Sequence, residues 1–488
     1  MLKIIFFCFA LAFSHVGTAA EVNTFIAFIT GGFDVPRYIA ITPNGLYAYV
    51  TNGGDNSVRV IDTNPSSPTF NTVVSAPALV GTFDSPNGIA ITPNGAFAYV
   101  CDSNSNSVLV IDTDPTSPNF NTLVAAPGLI GVFDSPNSIA ITPNGLFAYV
   151  TNTGDDSVNL IDINPSSGTY NTVIATPALV GVLNNPFDIE ITPSGLYAYI
   201  ANLTGSMNVV DIDPSSPDYN TVLTTPGLNV VNAQPEGFSF TKNGFFAYVT
   251  DGSSADVTVV DTNPASPTFN TVLSAPSLIG AFNFPNDAAT TTNGLYVYVS
   301  NFIGASGDIS SVSVIDTNPS SPTYNNTLYT PGLIVPSLTR FVSLAITPDD
   351  RYVYVVDTFN NNVGVIFTGI VDAPLNFTGT IITNVFLLNT SIIYRLTWSA
   401  PTSGNTPVEY RIYRDANLSQ LVATIPATSA LEYDIYRNAP WVGNTYYIVT
   451  VDALGNTSFP ISTTVTECSA IPCILRSASK NNTYCCNR

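Results

Sequence analysis

The sequence predicts an all-β protein, a seven-bladed β-propeller closed by its own N-terminal strand and followed by a smaller β-sandwich. Three observations support this prediction. A unit of about 50 residues recurs seven times, each copy holds four short strand-like runs, and helical periodicity is absent. Four strands per copy at this period are typical of propeller blades, in which twisted sheets stack radially and bury both faces.

One motif marks the copies, as in IAITPNGLYAYVTN (39–52) and LAITPDDRYVYVVD (344–357), and its threonine occupies positions 42, 92, 142, 192, 241, 291 and 347. The Pro-Asn-Gly that follows this threonine predicts a tight turn between two strands. For the first copy, the alternation of residue types predicts four strands, at Ile39–Thr42, Leu46–Thr51, Ser57–Asp62 and Asn71–Val80.

The two ends of the repeat array predict how the ring closes. The seventh copy ends after its third strand, Val363–Phe367, and lacks a fourth. The segment Val22–Thr30, which precedes the first copy, resembles the fourth strands of the other copies. We expect it to complete the last blade, with Phe25 alongside Val365, because this pairing removes two exposed sheet edges.

The repeat resembles that of the YVTN β-propeller proteins, through the AYVTN at 48–52 and 148–152. The resemblance covers residues 21–370 and implies an exported or cell-surface bacterial protein. It implies no single activity, since one propeller scaffold carries many functions.

Charge and histidine content exclude several function classes. Residues 21–370 hold 27 acidic and 5 basic side chains, whereas residues 371–488 hold seven of each. This difference predicts separate domains, and the negative field of the first argues against nucleic-acid binding. The only histidine is His15, inside a predicted export signal at residues 1–20. A mature chain without it has no Ser-His-Asp site and no histidine-ligated metal.

The C-terminal part falls into two segments. Residues 371–466 resemble a fibronectin type III domain, an immunoglobulin-like β-sandwich, through YRLTWSAP (394–401) and VEYRIYRD (408–415). The resemblance implies Trp398 as the core tryptophan, Tyr410 as its neighbour on the next strand, and Tyr446 or Tyr447 as the corner tyrosine.

The tail, residues 467–488, carries four cysteines, Cys468, Cys473, Cys485 and Cys486. In an exported protein they favour two disulfides, and a four-thiolate metal site is the alternative. Cys101 replaces the threonine of AYVTN in the second copy, and we expect a buried, unpaired thiol.

Acidic residues recur in the loops predicted for one rim of the propeller. The connections between copies supply Asp34, Asp84, Asp134, Asp188, Glu236 and Asp287. The turns between second and third strands supply Asp55, Asp102, Asp155, Asp156, Asp251, Asp256, Asp308 and Asp357. Such a rim suits a basic protein partner or weakly bound calcium, and the alternative is solvated charge that keeps the surface soluble.

Two further acidic positions stand out. The aspartate that ends the third strand recurs in six copies, beginning with Asp62, and is expected to fix the following turn through backbone N–H groups. Glu190 replaces the small residue of the other innermost strands. It marks either a ligand site in the central channel or a hydrated carboxylate without a role.

The leading prediction is a secreted, periplasmic or surface-exposed binding protein without enzymatic activity or a bound cofactor, calcium apart. The alternative is a lactonase-like propeller hydrolase with a carboxylate site on the same rim, for which Glu190, Glu236 and Arg340 are the best candidates. A deep, convergent polar pocket favours the enzyme, and a flat rim favours binding.

Overall fold

The computed structural model describes residues 23–174, 179, 183–223, 234–275, 278–279, 281–302, 312–319, 321–328, 333, 340–368, 374–386, 389–401, 407–414, 418, 420–437, 444–452, 458 and 461–465. Asn23–Thr368 form one compact unit, and the described residues after Gly369 belong to another.

The first unit is built from short strands in chain order. An N-terminal strand and the first three blades comprise β1 (Thr24–Thr30), β2 (Pro36–Ile41), β3 (Tyr47–Asn52), β4 (Ser57–Asp62), β5 (Thr72–Val74), β6 (Pro86–Ile91), β7 (Phe97–Asp102), β8 (Ser107–Asp112), β9 (Leu123–Val124), β10 (Pro136–Ile141), β11 (Phe147–Asn152), β12 (Ser157–Asp162) and β13 (Thr172–Ile174). Blades 4 to 7 comprise β14 (Pro186–Ile191), β15 (Tyr197–Asn202), β16 (Ser206–Asp211), β17 (Thr221–Val222), β18 (Pro235–Phe240), β19 (Phe246–Asp251), β20 (Val257–Asp261), β21 (Thr271–Leu273), β22 (Pro285–Thr290), β23 (Tyr296–Asn301), β24 (Val312–Asp316), β25 (Thr327–Leu328), β26 (Phe341–Ile346), β27 (Tyr352–Asp357) and β28 (Asn362–Phe367).

These strands form seven antiparallel four-stranded sheets, which confirms the predicted seven-bladed propeller. The innermost strands β2, β6, β10, β14, β18, β22 and β26 each contact the next, and β26 returns to β2, so the ring is closed. The second strands are buried almost throughout, as in Tyr47–Asn52, because each lies between two neighbouring sheets. Alternating aromatic and small residues therefore fill the spaces between blades.

The N-terminal strand closes the ring, as the sequence predicts. β1 pairs antiparallel with β28 and completes the sheet β1-β28-β27-β26. A bulge shifts the expected register by one residue, so that Phe25 lies opposite Ile366 and Ala27 opposite Val365. Gly364 faces the Phe25 ring so closely that a Cβ there would lie 2.7 Å from Phe25 Cε2.

One hydrogen bond repeats between every pair of neighbouring blades. A buried tyrosine hydroxyl of the second strand donates to the asparagine that precedes the fourth strand of the next blade, in Tyr49–Asn121, Tyr99–Asn171, Tyr149–Asn220, Tyr199–Asn270, Tyr248–Asn325, Tyr298–Asn23 and Tyr354–Asn71. Each asparagine has a positive φ, which asparagine adopts more readily than most residues. The N-terminal segment therefore supplies the seventh acceptor as well as a strand.

The aspartates that end the third strands fix the turns, as predicted. Asp62 accepts the N–H of Asn64 at 3.0 Å and the hydroxyl of Thr69 at 2.6 Å. Asp162 and Asp261 make the same bonds in their own blades. These carboxylates therefore have a structural role.

The fourth strands are shorter than predicted. The first ends at Val74 instead of Val80, and a 3₁₀ helix, Pro77–Leu79, follows it. A second 3₁₀ helix, Pro127–Leu129, occupies the same place in blade 2. Proline lacks an N–H for the ladder, so the strand ends before it, and the leucine is buried between blades instead.

The second unit contains a three-stranded sheet, β29-β30-β33, and a four-stranded sheet, β32-β31-β34-β35. The strands are β29 (Leu375–Phe386), β30 (Asn389–Ser399), β31 (Pro407–Tyr413), β32 (Leu421–Pro426), β33 (Glu432–Arg437), β34 (Asn444–Asp452) and β35 (Ile461–Val465). Trp398 and Tyr410 lie on different sheets and pack edge to face, with ring centroids 5.5 Å apart. The predicted contact between these two aromatic residues is confirmed.

Cys101 is a buried free thiol whose pKa is raised by desolvation, as its position predicts. The export signal, Asp308 and the four tail cysteines lie outside the described residues. Within the described part of the chain, no helix has the length and apolar character needed to cross a membrane.

Candidate functional site in the central channel

The innermost strands of all seven blades surround a cavity of about 520 Å³ at the centre of the propeller. Alternate side chains of each strand face it, because successive strand residues point to opposite sides. In most blades the third and fifth residues of this strand are small, such as Gly88 and Ala90. The larger polar residues that replace them define the chemistry of the channel.

Asp188, the third residue of β14, reaches the cavity. The Ser138 hydroxyl of the preceding blade donates to its Oδ1 at 2.7 Å. Desolvation by the surrounding protein raises the pKa of this carboxyl to about 6, although the Ser138 and Ile189 hydrogen bonds act in the opposite direction. The channel leaves part of the side chain open to water.

Asp287, the third residue of β22, lies at the same level of the channel wall. Its Oδ1 accepts the N–H of Ala288 at 2.8 Å, and its Oδ2 accepts the N–H of Leu344 in the next blade at 3.1 Å. Desolvation, reinforced by the negative charge of Asp188, raises the pKa of Asp287 to about 7. At neutral pH this carboxyl therefore exists in both protonation states.

Glu190, the fifth residue of β14, occupies the channel wall below Asp188, where five other blades have alanine. Desolvation raises its pKa well above the ordinary value, and the charges of Asp188 and Asp287 raise it further. A backbone N–H of Phe240 opposes this shift. Burial and the neighbouring charges therefore favour the protonated form of Glu190, which can donate a hydrogen bond.

Tyr38, the third residue of β2, adds a hydroxyl to this group. Its pKa is raised, first by desolvation and then by the charges of Asp188 and Asp287. Neither lysine nor arginine is among the described residues that line the cavity. Without a cation to favour ionisation, the three acids hold protons at unusually high pH.

A second polar group lies where the innermost strands begin. Glu236 of β18 accepts a hydrogen bond from the Asn286 amide of β22. Its pKa is raised by desolvation, and the positive charge of Arg340 opposes this shift. On the first blade Arg37 donates to the Ser85 hydroxyl at 3.0 Å, and partial burial lowers its pKa. The mouth of the channel therefore carries both signs of charge.

The structure corrects the predicted position of three acids. Asp188, Glu236 and Asp287 lie in strands β14, β18 and β22, not in the loops that precede them. These three acids do not occupy positions equivalent to that of Asp34. Asp34 lies two residues before the proline that begins its strand, whereas Asp188 lies two residues after its own. A register change of this kind moves the side chain from the outer rim to the channel.

Three other predicted rim acids, Asp102, Asp251 and Asp357, accept hydrogen bonds from backbone N–H groups instead of facing solvent. Asp251 is buried and accepts the N–H of Gln234 at 2.9 Å and that of Ser253 at 2.9 Å. Asp357 is fully buried and accepts the N–H of Arg340 at 3.2 Å. Asp102 is also buried and accepts the N–H of Asp84 at 2.6 Å. These carboxylates end the second strand and bind the neighbouring loop, so they are not available on the rim.

The remaining described acids of the predicted rim do lie in loops: Asp34, Asp55, Asp84, Asp134, Asp155 and Asp156 in the first three blades, and Asp256 in blade 5. Asp84 and Asp134 are exposed, Asp55 pairs with Arg59, and Asp155 accepts the Ser157 hydroxyl. Asp156 has a positive φ and accepts the N–H of Asn185 at 2.7 Å. Among the residues described, no group of three or more Asp, Glu, His or Cys has an arrangement suited to a metal ion.

Tyr38, Ser138 and Ser239 line the channel but were not among the sequence candidates. A signal for them exists in the sequence. When the innermost strands are aligned on their first residue, Tyr38, Asp188 and Asp287 occupy one register, where the other blades have glycine or serine.

Comparison with known proteins agrees with this architecture. A model of the family described as "Lactonase, 7-bladed beta-propeller" matches residues 28–178 and 89–222, which together make up less than half of the chain. Hydrazine synthase from Kuenenia stuttgartiensis is similar in structure, with a TM-score of 0.52 and 21% sequence identity over 70% of this chain and 97% of that chain. At this identity the likeness concerns the fold alone. No curated protein matches the chain.

Proposed function

We propose that the protein is a hydrolase of the lactonase type, with its site in the central channel instead of on the outer rim. The observation that carries this proposal is the convergence of Asp188, Glu190 and Asp287 on one cavity, each with a raised pKa. Carboxylic acids that titrate near neutral pH are suited to general acid–base catalysis. The similarity of residues 28–222 to a lactonase family model supports the same reaction class.

The chemistry requires one base and one hydrogen-bond donor. An ionised Asp287 or Asp188 takes a proton from a water molecule, whose oxygen attacks the lactone carbonyl carbon. Protonated Glu190 and the Tyr38 hydroxyl donate hydrogen bonds to the carbonyl oxygen as it becomes negative. The ring C–O bond then breaks, and the proton held by the aspartate passes to the leaving oxygen. Water and lactone give a hydroxy acid, and the carboxyls return to their starting states.

The test is hydrolysis of unsubstituted five- and six-membered lactones by the purified protein, followed by acid release at constant pH. We expect the rate to rise with pH through about 6 to 7, as the aspartates ionise. Asp287→Asn is expected to lower the rate by at least about 100-fold. Asp134→Asn, an exposed acid of the rim, is the matched control and should leave the rate unchanged.

Wild-type protein that hydrolyses no lactone above background would contradict the proposal. In that case, binding of the corresponding lactams, which resist hydrolysis, should be measured. Lactam binding would indicate a protein that binds a ligand in the channel, and no binding would indicate that the channel has no such ligand. The second candidate function is binding without catalysis. It is favoured by the absence of histidine after residue 15 and by the exposed Asp84, Asp134 and Asp155 of blades 2 and 3, which suit a basic partner or calcium.

We also propose where the protein is located and what its C-terminal part is. The N-terminal signal and the YVTN-type repeat favour export to the periplasm, the cell surface or the medium, with disulfides in the tail. The order of strands in the second unit, β29-β30-β33 against β32-β31-β34-β35, supports its assignment to the fibronectin type III type. Protease protection of the protein in intact cells, with and without outer-membrane permeabilisation, tests the location.

A further inference from the structure

The seven blades are similar in sequence, so a position at which one blade differs from the others stands out. The residue before each innermost strand is Val35, Ser85, Ser135, Asn185, Gln234, Phe284 or Arg340. The residue after each second strand is Gly53, Ser103, Thr153, Leu203, Gly252, Phe302 or Thr358. Aromatic residues occur at these two positions only in blade 6. Both positions lie at the end of the propeller where the innermost strands begin.

Phe284 occupies a strained backbone position and remains in contact with solvent. Its φ is +48°, in the left-handed region that is unfavourable for a bulky side chain, and its ring is 45% exposed. Asn185, at the same position of blade 4, has a φ of +55° and suits it better. The exposed phenylalanine ring contributes little core packing to compensate for this strain.

Phe284, Phe302 and Arg340 form one patch, hereafter the aromatic patch. The Phe284 and Phe302 rings are nearly perpendicular, with centroids 6.4 Å apart. The Arg340 guanidinium lies over the Phe302 ring, 5.6 Å from its centroid. Phe302 is 37% exposed, and its backbone forms an isolated bridge with Arg340.

The aromatic patch is continuous with the channel mouth. Phe284 is followed by Pro285 and Asn286, and the Asn286 amide bonds Glu236, which lines the cavity. Arg340 acts electrostatically on the same Glu236. A molecule with its polar end among the channel acids therefore leaves the cavity beside two aromatic rings and a cation.

We infer that the aromatic patch binds an apolar substituent, an alkyl or aryl group, of the lactone hydrolysed in the channel. This inference rests on the proposed function and adds the substrate class. The edges and faces of the two phenylalanine rings provide the apolar contact, and Arg340 holds the Phe302 ring in place. The substrate class is thus a lactone substituted at the ring, in contrast to an unsubstituted or highly hydroxylated one.

The test compares lactones of one ring size that carry hydrogen, butyl, hexyl or phenyl substituents. For wild-type protein, kcat/KM should rise by about tenfold from hydrogen to hexyl, because apolar surface is buried on the patch. Phe284→Asn should remove most of this rise and leave the unsubstituted lactone within about twofold. The same variant should melt at a higher temperature than wild type, because asparagine accepts a positive φ.

Val35→Asn is the matched control, since Val35 has a φ of +50° at the same position of blade 1. It should raise the melting temperature in the same way and leave the preference for substituted lactones intact. Phe302→Thr introduces threonine, the residue that blade 3 has at this position. It should reduce the preference for substituted lactones as Phe284→Asn does. An undiminished preference in both patch variants would overturn the inference.

The inference and the proposed function fail in different ways. If no lactone is hydrolysed, calorimetric binding of the hexyl-substituted lactam still tests the patch. Tighter binding of this lactam than of the unsubstituted one, lost in Phe284→Asn, would support the patch and contradict only the hydrolysis. Equal binding of both lactams by wild-type protein would overturn the patch itself.

Discussion

Single residues carry the chemistry of this propeller, and Glu190 is the clearest example. Five blades have alanine at its position, and an alanine side chain has no charge to desolvate. The carboxyl of Glu190 is desolvated and lies near the charges of Asp188 and Asp287. A residue that departs from a stable repeat at an energetic cost is expected at a functional site.

Glu190→Ala separates stability from function. We expect the variant to be more stable than wild type by about 1–2 kcal/mol at pH 8, because a desolvated acid is removed. We also expect its lactone hydrolysis to fall by at least about tenfold. Urea unfolding and the hydrolysis assay measure the two effects. Unchanged hydrolysis would remove Glu190 from the mechanism.

Asp188 predicts how stability depends on pH. Its pKa is about 6 in the folded protein and near 4 when unfolded, so the folded state binds more protons between these values. The contribution of Asp188 to the free energy of unfolding is fully present below about pH 4 and is lost as pH rises through 6. Asp188→Asn should therefore stabilise the protein by about 1–2 kcal/mol at pH 8, with a much smaller effect at pH 4. Urea midpoints at the two pH values provide the measurement, and a larger gain at pH 4 would contradict the assigned shift.

At the scale of elements, the pairing of β1 with β28 joins residues more than 300 positions apart in the sequence. Phe25 and Phe28 pack with centroids 4.6 Å apart over the space left by Gly364. Tyr298 of blade 6 donates to Asn23, the same bond that the tyrosine of every other blade makes with the asparagine before the fourth strand of the next blade.

Gly364→Ala tests this element directly. The new methyl group would lie 2.7 Å from the Phe25 ring, so we expect the β1 strand to be displaced and the protein destabilised by about 1–3 kcal/mol. Gly168→Ala, where the added Cβ meets nothing within 4 Å, is the control and should have little effect. Equal melting temperatures for the two variants would mean that Phe25 does not lie against β28.

At the scale of the whole molecule, the ring is stable only when closed, because each blade buries its faces against two neighbours. Ile29 and Phe33 of the N-terminal segment belong to the same core as Val363 and Val365 of blade 7 and Val50 of blade 1. The N-terminal strand therefore contributes to the contact between the last blade and the first.

Deletion of residues 22–30 should open this contact. We expect a fall in melting temperature of at least about 10 °C and self-association through the exposed edge of β28. Thermal melting and size-exclusion chromatography measure the two effects. A truncated protein that melts like wild type and stays monomeric would show that the ring closes without β1.

The repeat, the blade number, the closing strand and the turn aspartates were predictable from sequence, because each depends on local patterns that recur at a fixed spacing. The short fourth strands were not, since the buried Leu79 gains its place from a neighbouring blade. The sequence also identified Glu190 as exceptional and Asp188 and Asp287 as candidates, but placed the latter two in loops.

The sequence by itself determined the number and order of the blades, since hydrophobic alternation and turn residues act within a few positions of each other. Only the tertiary structure decided which acids meet. Asp188, Asp287 and Tyr38 come from blades 4, 6 and 1, and ring closure turns their strands toward one axis. Burial raises all three pKa values, and the charge of Asp188 raises those of Asp287 and Tyr38 further. Both causes depend on distances that no local sequence pattern contains.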